Sequence, residues 1–512
     1  MSTTVDSTTV DIDGQQHAVV DQLRPAGARR AILDEVLGAF AAGGVDCFVV
    51  KDPDATGPVV GVRQSERAAV LTALGTLAGP GVYLRERAPV RGEQPVFRLT
   101  AERAAGVRPV CRQLDVARLW SVAGGAVTYG FAYGCRVEFW DADPEAPDLV
   151  GPPQRTPAVG SATPEFFRPA TIDVEGVARP SIELFDRAFV DEVTFPIDVV
   201  YTWVDGNDPA WRERMLRARA EQDGLEYHPE AQAANRYQSR DELRYALRSL
   251  QMYAPWVRHV YLVTDRQVPS WLAAEHPGLT VVDHRDIFTD PSVLPVFNSN
   301  AIISQLHHID GLSEHYLYLN DDMFFGTDAR PSDFFFANGI AKVFPSGVAR
   351  SFGTPHAGGA PHFTLSKNIR AALERELGRS ISHSIRHTGY PQLRSVNDEI
   401  EKRFGDLVDA TAAHRFRHHD DIALDQFFHY YAQMTGRAVP MRMLYEYVNI
   451  AEAPAVVKLR RLLAGRDVTV FCLNDAPVPG VDPVPEPEIA AFLESYFPVR
   501  SDFETRDGAA PA

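Results

Sequence analysis

The chain has 512 residues, of which 45% are hydrophobic and 23% are charged, as expected for a folded protein with two or more domains. Its 51 basic and 68 acidic residues give a net charge of −17, which argues against sequence-independent binding to nucleic acid. The four cysteines are far apart and form no C-x-x-C pair, so they predict neither a disulfide framework nor a zinc site. The cysteine pattern is most simply explained by a protein that resides in a reducing compartment.

The amino-terminal end is rich in Ser, Thr and Asp and lacks the basic start and apolar segment of a signal peptide. No stretch approaches the roughly 20 apolar residues of a membrane span. We therefore expect a cytoplasmic protein, and peripheral association with membrane-linked polymer machinery at the inner membrane face remains open. Residues 1–25 are predicted to form a flexible tail.

Residues 26–190 alternate helix-like and strand-like patterns and predict a small α/β or α+β accessory domain with its linker. The linker is placed at 149–170 because that stretch is rich in Pro, Gly, Ser and Thr. No motif in this part indicates a chemistry, so structural, regulatory and acceptor-binding roles all remain open. The residues from 191 to 500 are predicted to form the second domain, and 501–512 a second flexible tail.

A near-continuous run of strand formers at 197–204 opens the second domain and leads into a dense turn signal at 205–209. Open α/β sheets bind ligands outside the carboxyl ends of their strands. Because Trp203 supplies an aromatic face beside this polar turn, we favour a binding loop over an ordinary connection.

The segment Ser239-Arg240-Asp241-Glu242 has the pattern of a capping box, which predicts a helix with Ser239 as its N-cap and Glu242 at the third position. Arg248 on this helix is predicted to be a solvated charge. Arg244 lies one turn in and could reach a phosphate with both guanidinium nitrogens.

Strand-like runs follow at 257–263, 279–282 and 316–319, separated by short connections and helical patterns. This alternation predicts a mainly parallel sheet that is covered on both faces by helices. Several of the strands end in polar residues, which indicates one shared crevice.

The third of these strands runs directly into Asn320-Asp321-Asp322, and apolar residues resume at Met323. Two carboxylates in an apolar segment are costly to bury unpaired, and a hard cation such as Mg²⁺ or Mn²⁺ would offset that cost. The alternative is a strand end that is capped by an Asx turn. The motif by itself favours neither reading.

Histidines concentrate further along, at positions 383, 387, 414, 418 and 419. His383 and His387 have the i, i+4 spacing of a helical zinc pair, but the intervening residues do not match and Gly389-Tyr390-Pro391 would end a helix, so we give zinc little weight. Asp420 or Asp421 could cap a following helix over 422–431, and Arg417 could neutralise a phosphate. The alternative for this segment is a surface network of salt bridges.

These motifs together resemble those of the Stealth family, which comprises bacterial capsular and exopolysaccharide phosphotransferases and the animal N-acetylglucosamine-1-phosphotransferase. The resemblance spans roughly residues 195–500 in the family's order. It is carried by blocks at 198–206, 241–250, 297–302, 318–326, 387–391, 415–422 and 472–475.

The resemblance implies a variant of the GT-A nucleotide-sugar fold that transfers sugar-1-phosphate from a donor such as UDP-N-acetylglucosamine to a hydroxyl of a polysaccharide or oligosaccharide. It also implies a need for Mg²⁺ or Mn²⁺, with Asp321 and Asp322 as the metal-binding carboxylates. Asp322, His387 and Arg417 match the family's catalytic positions, and we expect His387 to act as the general base rather than as a nucleophile. The remaining predicted donor-binding residues are Trp203, Asp205, Gly206, Asn207, Arg244 and Asn300.

Two other functions compete with phosphosugar transfer. A metal-dependent glycosyltransferase would use a comparable carboxylate pair but release a nucleoside diphosphate. Such enzymes have no defined counterpart of the His387 and Arg417 blocks. A sugar-binding protein without activity is disfavoured because Asp322, His387 and Arg417 are all present.

Overall fold

The computed structural model describes residues 8–53, 55–87, 94–143, 146–155, 159–222, 237, 239–349, 352–354, 361–476, 480 and 483–505. The chain divides into two compact units, Met1–Glu192 and Val193–Ala512. None of the helices in these ranges combines the length and the apolar character that a bilayer span requires.

The first unit contains two main sheets with helices against them and a two-stranded sheet formed by its last two strands. Its strands and helices are β1 (Thr9–Ile12), β2 (Gln15–Val20), α1 (Pro25–Ala42), β3 (Cys47–Val50), β4 (Val59–Arg63), α2 (Arg67–Gly75), β5 (Val82–Glu86), β6 (Val96–Arg98), α3 (Ala101–Ala105), β7 (Gln113–Arg118), β8 (Trp120–Val122), β9 (Val127–Tyr129), β10 (Cys135–Ala142), β11 (Val150–Gly151), β12 (Pro169–Val174) and β13 (Val177–Ile182). The larger sheet has the order β3-β4-β10-β7-β5-β6, with β11 on β10, and the smaller one has the order β1-β2-β8-β9. The apolar core lies around Phe40, Phe139 and Trp140, all of which are fully buried.

Two predictions for this unit are wrong. Within the expected amino-terminal tail, β1 and β2 form a hairpin, and β2 pairs with β8. Asp13-Gly14 makes the turn with positive φ at both residues, so the Asp-Gly hairpin signal was present in the sequence. The expected linker also belongs to the folded unit, because Val150 pairs with Ala162 and Phe167 packs its ring against Trp140.

The second unit is built around a five-stranded sheet. Its strands and helices are β14 (Ile197–Thr202), α4 (Pro209–Glu221), α5 (Glu242–Tyr253), β15 (Val260–Thr264), β16 (Leu279–Asp283), α6 (His284–Ile287), α7 (Ser299–Ile303), β17 (His315–Asn320), β18 (Met323–Phe325), α8 (Pro331–Phe334), β19 (Ala341–Val343), β20 (Pro345–Ala349), α9 (Pro361–Leu377), β21 (His383–Ile385), β22 (Tyr390–Leu393), α10 (Arg394–Arg403), α11 (Gly405–Ala413), α12 (Leu424–Met434), β23 (Ala438–Pro440), β24 (Tyr445–Asn449), α13 (Ala455–Gly465), β25 (Val470–Asn474) and α14 (Glu486–Tyr496).

The order of strands in this sheet is β16-β15-β14-β17-β22. The first four strands are parallel, and β22 runs antiparallel to β17. The chain proceeds outward from β14 through β15 to β16 and then returns to place β17 on the other side of β14. Such a reversal of strand order opens a crevice at the carboxyl ends of the two strands that flank it, here β14 and β17.

A smaller sheet, β18-β25-β24, continues from the end of β17. Antiparallel pairing of β18 with β25 sets Met323 opposite Cys472. The backbone N–H of Leu473 donates to the carbonyl of Asp322 at 3.0 Å. This pairing brings the carboxyl-terminal part of the chain to the acidic motif.

Helix α5 begins later than the capping-box pattern predicts. Its N-cap is Asp241, in a left-handed conformation with φ of 62°, and no side-chain cap is formed. Glu242, the first helical residue, instead accepts the backbone N–H of Arg240 at 2.6 Å through its carboxylate. The acidic residue of the pattern is therefore held at the start of the helix, close to the end of β17.

The arginines of α5 serve the fold. Arg248 is buried, contrary to the prediction of a solvated charge, and donates to Glu504 at 2.8 Å from Nε and 3.0 Å from Nη2. Arg244 donates to the same carboxylate at 2.7 Å. Residues 501–505 are therefore held in place rather than forming a flexible end, and Phe503 is buried too. Residues 506–512 of the predicted tail lie outside the described residues.

We expect Glu504→Gln to lower the free energy of unfolding of the second unit by about 3–5 kcal/mol, because it leaves buried Arg248 with only the exposed carboxylate of Glu494 as counter-charge. Urea unfolding monitored by Trp fluorescence measures the change. Glu213→Gln is the matched control, since it breaks the exposed pair with Arg217, and such pairs contribute about 0–1 kcal/mol. Equal effects of the two substitutions would contradict this role of Glu504.

Candidate active site

The ends of β14 and β17 are joined by a chain of hydroxyl hydrogen bonds. Thr202, the last residue of β14, is paired in register with Asn320, the last residue of β17. The hydroxyl of Tyr318 lies 3.1 Å from that of Thr202 and donates to the side-chain carbonyl of Asn320 at 2.7 Å. This network fixes the point at which the chain enters the Asp321-Asp322 motif.

Three carboxylates gather at this point: Asp321, Asp322 and Glu242. Asp321 and Asp322 retain some exposed surface, yet the surrounding protein displaces enough water to raise the pKa of Asp322 to about 7, with Glu242 acting in the same direction. Burial also raises the pKa of Asp321 well above its usual range, with contributions from Glu242 and Asp322, and burial raises the pKa of Glu242. The side chains therefore form an acidic cluster with strong mutual repulsion.

Cys472 contacts this cluster directly. Its buried thiol donates to Oδ2 of Asp322 at 3.5 Å. Burial, reinforced by the Asp322 carboxylate, raises the pKa of Cys472 well above its usual range, so the sulfur stays protonated as a donor. The other oxygen of Asp322, Oδ1, is buried and has no hydrogen-bond partner among the described residues.

Arg240 is a residue of this site that the sequence analysis left without a role. Its Nη2 donates to Asp475 at 2.7 Å, and its Nη1 lies 3.6 Å from Glu242. Asp475 follows β25, so this ion pair joins the start of α5 to the block that carries Cys472. The cation offsets part of the negative charge, and the only sequence signal for it was its place beside Glu242.

His387 lies against a group of tyrosines that also surrounds the acidic cluster. Its Nδ1 is 3.3 Å from the hydroxyl of Tyr390, and its ring centroid is 5.9 Å from that of Tyr447. Burial raises the pKa of Tyr447, and the nearby Asp322 carboxylate contributes to the shift. Through Tyr447, the structure brings His387 and Asp322 into one region.

His383 does not share a helix with His387. It lies in β21, whereas His387 follows that strand, so the i, i+4 spacing has no helical meaning here. The two histidines are therefore not one turn apart on a helix.

Arg417 and Asn300 lie in a second polar cluster, which we call the Asp421 cluster. Its center is the fully buried carboxylate of Asp421, which accepts the Nδ2 groups of Asn298 at 2.8 Å and of Asn300 at 3.3 Å. Arg417 donates to the hydroxyl of Ser299 at 2.8 Å.

The expectation that Asp420 or Asp421 caps the following helix is wrong. Helix α12 begins at Leu424, and its N-cap is Ala423 without a side-chain cap. Asp421 instead lies 2.7 Å from Nδ1 of His414 and binds α7 through Asn300. Its burial among several donors explains why it serves the tertiary fold rather than the helix end.

The turn after β14 is stabilised by several hydrogen bonds. The carboxylate of Asp205 accepts the backbone N–H of Asn207 at 2.8 Å, and Asp208 caps α4. Gly206 donates its N–H to the carbonyl of Tyr237, and a Cβ at this position would lie 2.4 Å from that oxygen, so only glycine fits. Trp203 precedes the turn and is partly exposed.

Tyr237 connects this turn to the Asp421 cluster, because its hydroxyl donates to the carbonyl of Phe297 at 3.0 Å. Arg244 is the predicted donor-binding residue that the structure places elsewhere, in the ion pair with Glu504. Its predicted phosphate contact therefore competes with a short, half-buried salt bridge.

Three conserved regions of one family match this chain. Stealth protein conserved region 1 matches residues 195–223, conserved region 2 matches 236–343 and conserved region 3 matches 386–433. An exopolysaccharide phosphotransferase of Streptomyces coelicolor is 44% identical over 95% of this chain and 84% of its own length. The chain belongs to the Stealth family. The membership predicted from the motifs is thus confirmed.

Other relatives of this Stealth protein extend the comparison. CpsY, an exopolysaccharide phosphotransferase of Mycobacterium tuberculosis, is 34% identical over 89% of this chain and 86% of its own length. Among solved structures, the galactosyltransferase LgtC has 9% identity and a TM-score of 0.29, covering 58% of this chain and 95% of its own. The matched regions include the predicted site residues from Trp203 to Arg417, whereas Cys472 lies beyond them.

Proposed function

We propose that this Stealth protein transfers sugar-1-phosphate from a nucleotide-diphosphate sugar, of the UDP-N-acetylglucosamine type, to a hydroxyl of a growing exopolysaccharide and releases a nucleoside monophosphate. The observation that carries the proposal is the acidic cluster at the carboxyl ends of β14 and β17, with His387 in the same tyrosine-lined region. Family membership supports it, because the curated relatives are named exopolysaccharide phosphotransferases.

The acidic cluster fits a divalent cation. Asp322 has a buried oxygen without a hydrogen-bond partner in the described ranges, and Asp321 and Glu242 add negative charge that Arg240 offsets only in part. Oxygen ligands of this kind suit Mg²⁺ or Mn²⁺, which usually share their coordination with substrate phosphates. We propose that Asp321 and Asp322 hold the ion. When bound, it would polarise phosphoryl oxygens and neutralise their charge.

The residues of the chain supply proton transfer and positioning. The acceptor oxygen forms a bond to the phosphorus that bears the sugar, the bond from that phosphorus to the nucleoside monophosphate breaks, and the hydroxyl proton passes to His387. An Nδ1–H donated to Tyr390 would make Nε2 the nitrogen of His387 that takes this proton. We assign Arg417 to the phosphate charge, because a fixed cation stabilises the phosphoryl oxygens in the transition state.

We further propose that the second unit is a variant of the GT-A nucleotide-sugar fold. Four parallel strands whose order reverses between β14 and β17, followed by the antiparallel β22, support this assignment. In such a sheet, the nucleotide would lie over the turn after β14, and the diphosphate would lie toward the acidic cluster.

The nucleotide product tests the proposed reaction. The protein is incubated with Mg²⁺, a panel of nucleotide sugars and short oligosaccharide acceptors, and nucleoside mono- and diphosphates are then separated. We expect the monophosphate. A diphosphate product would overturn the proposal in favour of a metal-dependent glycosyltransferase that attacks the anomeric carbon.

Trp203→Ala should weaken donor binding by about 10-fold to 100-fold, because stacking of a base on an aromatic ring contributes about 1–3 kcal/mol. We propose that Trp203 provides this stacking face, with Asp205, Gly206 and Asn207 forming the turn beside the nucleotide. Isothermal titration with a nucleotide sugar measures the affinity. Trp203→Phe keeps an aromatic face and should retain most of it, whereas an unchanged affinity in Trp203→Ala would remove this residue from the nucleotide site.

A further inference from the structure

Two histidines and a glutamate converge away from the acidic cluster. His307 and His308 lie in the 3₁₀ turn Leu306–His308, and Glu401 projects from α10. The Nε2 atoms of His307 and His308 are each 3.0 Å from the same oxygen, Oε2 of Glu401. The three potential ligand atoms all lie within 4.8 Å of one another.

The hydrogen-bond partner of His308 determines its tautomer. Nδ1 of His308 lies 3.0 Å from the backbone carbonyl of Ile287, and a carbonyl only accepts, so Nδ1 carries the hydrogen. A neutral His308 then turns the bare lone pair of Nε2 toward a carboxylate oxygen. Two acceptors at 3.0 Å repel each other, so the arrangement requires either a second proton on His308 or a cation among the three groups.

His307 also directs its Nε2 atom at the carboxylate of Glu401. Its side chain is fully buried, and Nδ1 has no hydrogen-bond partner in the part of the chain that the structure describes, so its polar contact is made through Nε2 alone. The rings of His307 and His308 are adjacent, with centroids 4.1 Å apart, so the charge of a protonated His308 would lie against the buried ring of His307. A bound cation would satisfy both Nε2 atoms and the carboxylate together.

We propose that His307, His308 and Glu401 form a structural zinc site. A set of two imidazoles and one carboxylate binds Zn²⁺ in preference to Mg²⁺. Zinc–nitrogen bonds of about 2.0–2.1 Å place tetrahedral ligand atoms about 3.3 Å apart, close to the 3.0 Å between each Nε2 atom and Oε2 of Glu401. Ile287 provides the carbonyl that orients His308, as is usual for zinc-bound histidine. Asp398 lies nearby, with its Oδ1 3.8 Å from Nε2 of His307.

The position of the site indicates its role. The turn that carries the histidines lies between α7, which contains Asn300, and β17, which leads to Asp321 and Asp322. Zinc would tie this connection to α10. The inference concerns metal content and stability, and it stands independently of the proposed transfer reaction.

Zinc content tests the site. Metal is removed from the purified full chain with EDTA, and the protein is then equilibrated with Zn²⁺ and passed through a desalting column. Elemental mass spectrometry measures the zinc that the protein retains. We expect about one equivalent of zinc in the parent. His308→Gln and Glu401→Gln should each lower the affinity for zinc by more than about 100-fold, because loss of a residue that only contacts a metal ligand already lowers metal affinity by about 10–100-fold. Zinc should also raise the melting temperature of the parent and of neither variant.

Three controls keep the outcome interpretable. Far-UV circular dichroism checks that His308→Gln and Glu401→Gln are folded, which their partial exposure favours. His259→Gln, at a partly exposed histidine that contacts Thr280, should retain zinc. Asp322→Asn should retain zinc as well, which separates this site from the acidic cluster. A parent without retained zinc, or folded His308→Gln and Glu401→Gln variants with the parent's zinc content, would overturn the proposal in favour of a protonated His308.

Discussion

Asp322→Asn should reduce transferase activity by at least about 10³-fold while raising the stability of the metal-free protein. We expect the loss of activity because a metal that acts as a Lewis acid stabilises the transition state by several kcal/mol. Each 1.36 kcal/mol of activation free energy corresponds to a tenfold change in rate. The gain follows because asparagine removes a carboxylate whose pKa burial raises to about 7, which marks an unfavourable environment for the charge. Release of nucleoside monophosphate and the melting temperature in EDTA measure the two effects.

The opposite signs of these effects distinguish a functional carboxylate from a structural one. If Asp322 served only as the capped end of β17, its loss would lower stability and leave the activity of the folded fraction unchanged. Asp290→Asn is the matched control, because Asp290 is exposed and caps the short turn Pro291–Val293, a role that asparagine performs equally well. We expect parent-like activity in this control.

His387→Gln should lower kcat/KM by about 10²–10⁴-fold, the usual contribution of a general base. Donor affinity should stay at the parent value, because the residue is proposed to act on the acceptor hydroxyl. Addition of imidazole should restore part of the rate. Steady-state kinetics combined with titration of the nucleotide sugar separate the two quantities, and His259→Gln again serves as the control.

A second experiment separates a base from a nucleophile at His387. The parent is mixed with a donor labelled in the phosphate next to the sugar, without acceptor, and the protein is isolated at alkaline pH. We expect no label on the protein. A label that the parent acquires and His387→Gln does not would establish a phosphohistidine and contradict the role of His387 as general base.

The parts of the site that were predictable share one property: their signal is local. Asp321 and Asp322 follow a buried strand within a few residues, and Trp203 and Asp205 follow another. Such apolar runs with polar ends indicate both the strands and the edge at which they meet. The hairpin of β1 and β2 had a local signal as well, Asp13-Gly14, and the polar composition around it concealed that signal.

The parts that were missed depend on pairs distant in the chain. Arg248 and Glu504 are 256 residues apart, and Cys472 and Asp322 are 150 apart. Nothing near Arg248 in the sequence distinguishes a solvated guanidinium from one enclosed by the carboxyl-terminal segment. Adjacent histidines at 307 and 308 carry no recognised metal-binding spacing either, and only the approach of α10 gives them a shared carboxylate.

The sequence by itself determined the family and the positions of its chemical motifs, because the residues of each motif are neighbours in the chain. The tertiary structure alone decided which charged groups are paired and which keep an atom without a partner in the described ranges. Arg244 and Arg248 are paired with Glu504, whereas Asp322 keeps an unpartnered oxygen among the described residues beside Asp321 and Glu242. The physical reason is that pairing of charges depends on distances through space, which the path of the folded chain sets and which local sequence does not encode.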